Sequence, residues 1–279
     1  MSAHARDKKY VENRPASGLF APVDLRELWR YRELAFFLAL SDLKVRYKQT
    51  VFGVAWVVIQ PLVGAAIFTL VFGRFAGLPS DGLPYVVFVY TGLTLWAYFS
   101  RAVESSADSL VGNPALVTKV YFPRILAPFA AVVPGILDLV IALVVAGVFM
   151  AIYHVTPSAA IILLPVWILA AAAVAFGAGL WLSALNVRYR DVRHTLSFLM
   201  QVWVFATPVV YPSALVDGAW RYLYAVNPMV GVLDGFRWSL TDTPAPSGHL
   251  LISLAAATVL LASGGLYFLR AERDFGDVI

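Results

Sequence analysis

Cysteine is absent from this sequence, which removes disulfides, iron-sulfur clusters and thiol nucleophiles from consideration. Charge is scarce. Only 14% of residues are charged against 60% hydrophobic, far above the roughly half expected of a soluble domain. Enzymatic signatures are also missing: there is no G-x-x-x-x-G-K-[ST] to cradle phosphates, no G-x-S-x-G and no H-E-x-x-H. His4, His154, His194 and His249 lie at least 40 residues apart, too dispersed for a local metal-ligand set. No repeat or low-complexity tract is present. The first fifty residues lack a short apolar core followed by a small-residue cleavage site, so no removable signal peptide is expected. What remains describes a membrane protein.

Val51 to Phe72 carries no charged side chain, and its 22 residues would form a helix of roughly 33 Å, enough to cross hydrocarbon. Further apolar segments run from about Leu83 to Ser100, Ile125 to Tyr153, Ala159 to Leu185, Thr195 to Val210 and His249 to Leu269. Six crossings are expected. With the N-terminus inside, eighteen Lys and Arg fall on the inner side and only Arg74, Arg221 and Arg237 on the outer, which places both termini in the cytoplasm. Between the last two crossings, Trp220 to Val226 and Met229 to Leu240 are apolar but too short to span, and Asn227-Pro228 separates them. A re-entrant or interfacial hairpin on the outer face is expected there, its irregular backbone held against protein or a water-filled cavity. The predicted fold is an all-α membrane protein. A cytoplasmic arm over 1–50 precedes a six-span domain over 51–279.

The arm carries a helix signal. Asp24 can cap it, Glu27 occupies the capping-box position, and an apolar stripe runs through Leu25, Leu28, Trp29, Phe36, Leu40, Leu43 and Tyr47. Arg26, Arg30, Arg32, Lys44, Arg46 and Lys48 lie outside the stripe, the composition of a helix in the cytoplasmic interface, touching membrane lipids. Lys44, Arg46 and Lys48 either anchor the helix to anionic lipid or help hold the headgroup of a lipid that is cargo. Gln60-Pro61 kinks the first span and asks for protein or water beside it, and Pro208 and Pro212 in TPVVYP repeat the device in the fifth. Asp138 is the carboxylate deep in a span. It reads as a gate or relay partner, or as a polar contact between helices, the second being preferred. In the loop between spans two and three, Asn113 and Pro114 can start a short helix that stops before Pro123. Its apolar patch, Leu116, Val117 and Val120, needs a partner, either the bilayer or, preferably, another protein. The rings of Tyr90, Trp96, Tyr98 and Trp203 lie within spans, where they serve as core, as interfacial belt or as flat contacts for a sliding sugar chain.

Three stretches in order, DLKVRYKQTVFGVAWVVIQPL, NPALVTKVYFPR and NVRYRDVRHTLSFLMQVWVFATPVVYP, resemble signatures of the permease subunit of type-2 ABC exporters of lipid-linked polysaccharide. That group exports O-antigen, capsule and teichoic acid, and the resemblance covers nearly the whole chain from about residue 24. It implies a homodimer in the cytoplasmic (inner) membrane, joined to two copies of a separate ABC ATPase that carries the ATP and Mg. The chain itself then has no cofactor and no catalytic residue, and nucleic acid is not a partner. The cargo implied is undecaprenyl-linked polysaccharide, most simply O-antigen. Carried onto this chain, the family pattern gives ATPase coupling to Asn113, Pro114, Leu116, Val117, Lys119, Val120, Tyr121 and Arg124. It gives channel lining to Gln60, Pro61, Tyr90, Trp96, Tyr98, Trp203 and Tyr211, and the outer re-entrant gate to Trp220, Tyr224, Asp234 and Arg237. An exporter of a drug or small lipid is the nearest alternative. A membrane-embedded transferase acting on lipid-linked sugars is the rival from another class; it would need convergent carboxylates or a histidine at one membrane face, which the sequence does not offer.

Overall fold

The computed structural model describes residues 25–48, 54–112, 122–189, 191–246 and 248–275, and among them every regular element is helical. Helices α1 (Leu25–Arg30) and α2 (Arg32–Lys48) are almost continuous, because the N–H groups of Tyr31 and Ala35 each donate to the carbonyl four residues back. Next comes α3 (Val54–Phe68), which widens into a π-helical stretch, Thr69–Phe75. After it stand α4 (Tyr85–Asp108) and a kinked rod made of α5 (Leu126–Val132) and α6 (Pro134–Ile152). The kink sits where Pro134 supplies no N–H. A 3-10 turn, Ala159–Leu163, opens α7 (Leu164–Arg188), and α8 (Val192–Trp203) follows. Two short helices, α9 (Trp220–Ala225) and α10 (Pro228–Leu240), precede α11 (Leu250–Ala271) and a final 3-10 turn, Glu272–Asp274.

Five helical segments are long and apolar enough to cross a membrane: Ala55–Phe75, Tyr85–Asp108, Leu126–Ile152, Ala159–Arg188 and Leu250–Ala271. The stretch expected as a further crossing, Thr195 to Val210, is built differently. Its helix α8 has 12 residues, about 18 Å, and from Trp203 to Val210 the chain continues through turns. Pro208 explains the break, since it cannot donate and disfavours helix in the residue before it. The stretch nevertheless runs alongside α4 from end to end. Arg193 Nε lies 3.1 Å from Asp108 Oδ2 at the last residue of α4, and the Tyr85 hydroxyl, at the first, donates to the Val210 carbonyl at 2.5 Å.

Helix α4 is the centre of the molecule, with most residues between Val87 and Ala107 buried and Arg101 and Glu104 half-buried, and it is packed by α3, α5, α6, α7, α8 and α10. Beside it, α7 is pressed between α4 and α11. Close approach there depends on missing side chains. A Cβ at Gly177 would meet Leu261 backbone at 2.8 Å, and one at Gly264 would run into the Gly177 carbonyl oxygen. Lipid-facing surfaces provide no hydrophobic drive between helices, so small residues that let backbones touch are what packs them.

The arm meets the bundle in the same way. The α2 residues that enter the bundle are Ala35 and Ala39, while Trp29 and Phe36 stand 70% and 66% exposed. Ala35 joins Leu110, Phe122, Leu126, Val187, Phe268 and Phe275 in a cluster that gathers α2, the end of α4, the start of α5, the end of α7 and the end of α11. Asp24 lies outside the described residues.

Gly264→Val is expected to push α7 and α11 apart and to cost about 1–3 kcal/mol, the range for overpacking a tight interior. Gly265→Val meets open space and serves as the control. Thermal unfolding of the detergent-solubilised chain, followed by loss of the monodisperse peak, measures both.

Candidate functional site

Two polar centres interrupt the apolar bundle, one toward each end of α4. At the inner one, the last turn of α2 splits its cations: Lys44 and Lys48 share an exposed face, whereas Arg46 and Tyr47 turn toward the bundle. Arg46 Nη1 donates to Asp138 Oδ2 at 2.6 Å, Arg101 Nη1 donates to the same oxygen at 2.8 Å, and the Tyr47 hydroxyl donates to Oδ1. The carboxylate is buried, while the Arg46 and Arg101 side chains remain 27% and 32% exposed. An ionised carboxylate at membrane depth is tolerable only when paired in this way. Asp138 is thus a polar contact joining α2, α4 and α6. Beside it lies a cavity of about 20 Å³ lined by Gln60, Pro61, Thr94, Tyr98, Arg101 and Asp138. It has room for about one water molecule.

The outer centre is built on the break after α8. A helix end inside an apolar bundle leaves carbonyls that water cannot reach. Here side chains reach them. The Phe205 carbonyl accepts from the Tyr211 hydroxyl at 2.7 Å, that of Ala206 from Asn227 Nδ2 at 2.8 Å, and that of Val210 from Tyr85. The Pro208 and Val209 carbonyls accept from the Arg237 guanidinium, which also donates to the Phe88 carbonyl at 3.2 Å. Arg237 is 2% exposed, and its guanidinium carbon stands 3.7 Å over the Phe88 ring, a cation–π contact. Gly92 makes the space, since a Cβ there would collide with the guanidinium.

Helix α10 is held in place by its own glycines. Gly231 rests on Ser253 of α11, whose hydroxyl accepts from the Gly231 N–H at 3.2 Å and donates to the Ala225 carbonyl at 2.8 Å. Gly235 lies against the Trp167 ring of α7. Asn227 caps the helix, its Oδ1 accepting from the Met229 N–H at 3.1 Å. Burial raises the Asp234 carboxyl to about 6, against the hydrogen bond from Ser213 and the charge of Arg237. The Tyr224 hydroxyl donates to that of Tyr211 at 3.2 Å, and Trp220 is exposed at the start of α9.

The remaining expected residues divide. Tyr90, Trp96 and Tyr98 are buried within the bundle. Trp203 is half-buried against Trp96 and Phe99. Gln60 is exposed and Pro61 buried. Asn113 to Tyr121 lie outside the described residues, but both flanks of that segment are tied down. Asn186 Nδ2 donates to the Ala107 carbonyl at 3.1 Å and to Asp108 at 3.2 Å. On the other side, the Arg124 N–H donates to Glu272 Oε1 at 3.1 Å and its guanidinium to the Glu272 carbonyl at 2.9 Å. Burial raises the Glu272 carboxyl, with Arg124 opposing. Two features went unassigned from sequence: Arg101, and the outward face of α8, where His194, Phe198 and Gln201 are exposed, with Phe205 exposed in the turns beyond it. A helical wheel of α8 places the first three on one side, which was a readable signal; Tyr47, read as part of the apolar stripe, instead gives its hydroxyl to Asp138.

Residues 33–241 match the family described as ABC-2 type transporter. The O-antigen export system permease protein RfbA of Myxococcus xanthus is 31% identical over 259 residues, spanning 91% of this chain and 98% of that protein. A protein of the same description from Klebsiella pneumoniae is 25% identical over 248 residues, spanning 88% of this chain and 95% of its own.

Arg237→Met is expected to strand the carbonyls of Phe88, Pro208 and Val209 and to cost roughly 3–5 kcal/mol. Arg237→Lys recovers only part of this, because one ammonium lacks the planar fork that serves three acceptors. Thermal unfolding of the purified chain, with limited proteolysis mapping new cuts within 205–212, reads the effect; an unchanged midpoint in Arg237→Met would contradict it.

Proposed function

The chain belongs to the ABC-2 type transporter family, and we propose that it is the membrane permease of an ATP-driven exporter that moves lipid-linked O-antigen polysaccharide across the cytoplasmic membrane. The observation that carries this reading is a near full-length likeness to O-antigen export permeases, 31% identical across 91% of the chain. The chain is a transport component. ATP and Mg belong to a separate ATPase, expected in two copies.

In this reading the segment from Val192 to Val210 is the sixth crossing, interrupted at Pro208. Its course from Asp108 to Tyr85 supports this, as does the cluster that gathers α2 and the end of α11 at one end of the bundle, as an even number of crossings requires. Both termini are then cytoplasmic. The α1–α2 helix lies at the inner interface, with exposed Trp29, Phe36 and Phe37 toward lipid. Helices α9 and α10 form the re-entrant hairpin, and its short apolar helices, packed on α7 and α11, support that placement.

The exposed faces support a homodimer around a hydrated path. Gln60 on α3 and Gln201 on α8 are both exposed, and a glutamine turned to lipid is costly. The two helices meet at their outer ends, where Phe68 and Phe205 pack edge to face. Two such faces brought together would wall a conduit with His194, Phe198, Gln201 and Phe205, supplying rings for sugar faces and polar groups for hydroxyls. Undecaprenyl-linked glycan is the cargo this conduit suits. The segment Asn113 to Tyr121 docks into the ATPase, and its anchored flanks would pass a push into α4, α7, α8 and α11 through Asp108 and Arg124.

Deleting the chain from its host is expected to remove surface O-antigen while lipid-linked glycan accumulates inside. Normal surface polysaccharide without intracellular build-up would contradict the reading. Separately, Leu116→Asp or charge reversal at Lys119 is expected to reduce co-purification of the ATPase sharply, and full retention of the partner would remove the docking assignment.

A further inference from the structure

The inner polar centre holds more positive fork than its carboxylate requires. Two guanidinium groups converge on one oxygen of Asp138, at 2.6 and 2.8 Å, although an ionised carboxylate has two oxygens to offer and the other is taken by Tyr47. Each guanidinium carries five donors in a plane, and Arg101 commits one of them to Asp138. Both side chains keep about a quarter to a third of their surface open, whereas the carboxylate between them is buried. Asp42 and Glu104 also lie within electrostatic reach, of Arg46 and Arg101 respectively. Asp138 is the anion that the two forks grip together.

A second observation points the same way. The Tyr98 hydroxyl is buried, 3% exposed for the residue, and makes no hydrogen bond, yet Tyr98 lines the small cavity that Arg101 and Asp138 share. A buried hydroxyl left without a partner is destabilising. A group that entered the cavity as an acceptor would relieve it. Arg101 stands seven residues, about two turns, before the inner end of α4, and the exposed Lys44 and Lys48 sit on the same last turn of α2 as Arg46.

We propose that Arg46 and Arg101 form the seat for the phosphate of a lipid headgroup, with Asp138 as the resident anion that the phosphate displaces. Phosphate presents more oxygens and more charge than a carboxylate and is met by arginine through paired, charge-assisted hydrogen bonds. When it takes the two forks, Asp138 loses Arg46, and the bond from Tyr47 becomes the only tie left between α2 and this carboxylate. Occupancy of the seat therefore loosens the interface helix from α4 and α6. The inference rests on the exporter reading for the identity of the lipid, a prenyl diphosphate, and assigns its recognition to Arg101 and its release to Asp138.

The full chain, purified with its ATPase and placed in nanodiscs of zwitterionic lipid, tests this by titration with farnesyl diphosphate followed by tryptophan fluorescence. Arg101→Gln is expected to weaken binding about tenfold or more, with partial recovery in Arg101→Lys. Asp138→Asn, which removes the competitor's charge while keeping its shape, is expected to tighten binding several-fold. Inorganic pyrophosphate should compete weakly and vesicles of phosphatidylglycerol not at all. Unchanged affinity in Arg101→Gln overturns the seat, and weakened binding in Asp138→Asn overturns the displacement. Equal competition by inorganic pyrophosphate or by phosphatidylglycerol overturns the prenyl diphosphate as its ligand. The exporter reading fails by a different result, normal surface polysaccharide in the deletion strain.

Discussion

A backbone that leaves helix inside an apolar bundle must find donors for its carbonyls, and the arrangement of the outer half of this protein follows from that need. The break after Trp203 exposes the carbonyls of Phe205, Ala206, Pro208, Val209 and Val210, and each accepts from a side chain. The donors come from Tyr211, Asn227, Arg237 and Tyr85, so one irregular segment dictates the position of the hairpin, the start of α4 and the residue that caps α10. Gly92 has no side chain because the guanidinium occupies that space. A helix interruption at this depth is stable only as part of such a set.

Much of this architecture is legible in sequence. Long apolar runs place five of the six expected crossings, and Asn227-Pro228 marks a helix start, with the asparagine as cap. Helix α2 shows how the surroundings decide which face of a helix is buried. In a soluble protein Trp29 and Phe36 would mark the buried face; next to lipid, Ala35 and Ala39 mark it instead, because contact between backbones replaces the hydrophobic drive. Arg237 was readable as an outer-side cation but not as a buried one. Its partners are carbonyls 28 to 149 residues away, and carbonyls leave no trace in a residue pattern. The convergence of Arg46 and Arg101 on Asp138 was hidden for a related reason, since separations of 92 and 37 residues are set by the packing of three helices.

The rings illustrate a different limit. Tyr90, Trp96 and Tyr98 share a helix with every other residue of α4, and which of them faces a conduit depends on which helix becomes central. Most of α4 is buried, whereas the outward faces of α3 and α8 carry Gln60 and Gln201. Polar residues on an otherwise apolar outward face are informative because lipid would reject them.

The two polar centres differ in a way that gives α4 a fixed end and an adjustable one. Arg237 grips the outer end through backbone carbonyls, which are neutral acceptors belonging to the fold and which no incoming anion can replace. Arg101 grips the inner end through a carboxylate, a side chain whose place another anion can take. The same residue type therefore serves opposite purposes, decided by the chemistry of its acceptor. A staple that cannot exchange keeps the hairpin and the interrupted helix in register. A pair that can exchange lies where α2 meets the bundle, within two turns of the end of α4. Movement should thus begin at the inner end and pivot about the outer one, because that is where ion pairing, and not backbone satisfaction, holds the helices together.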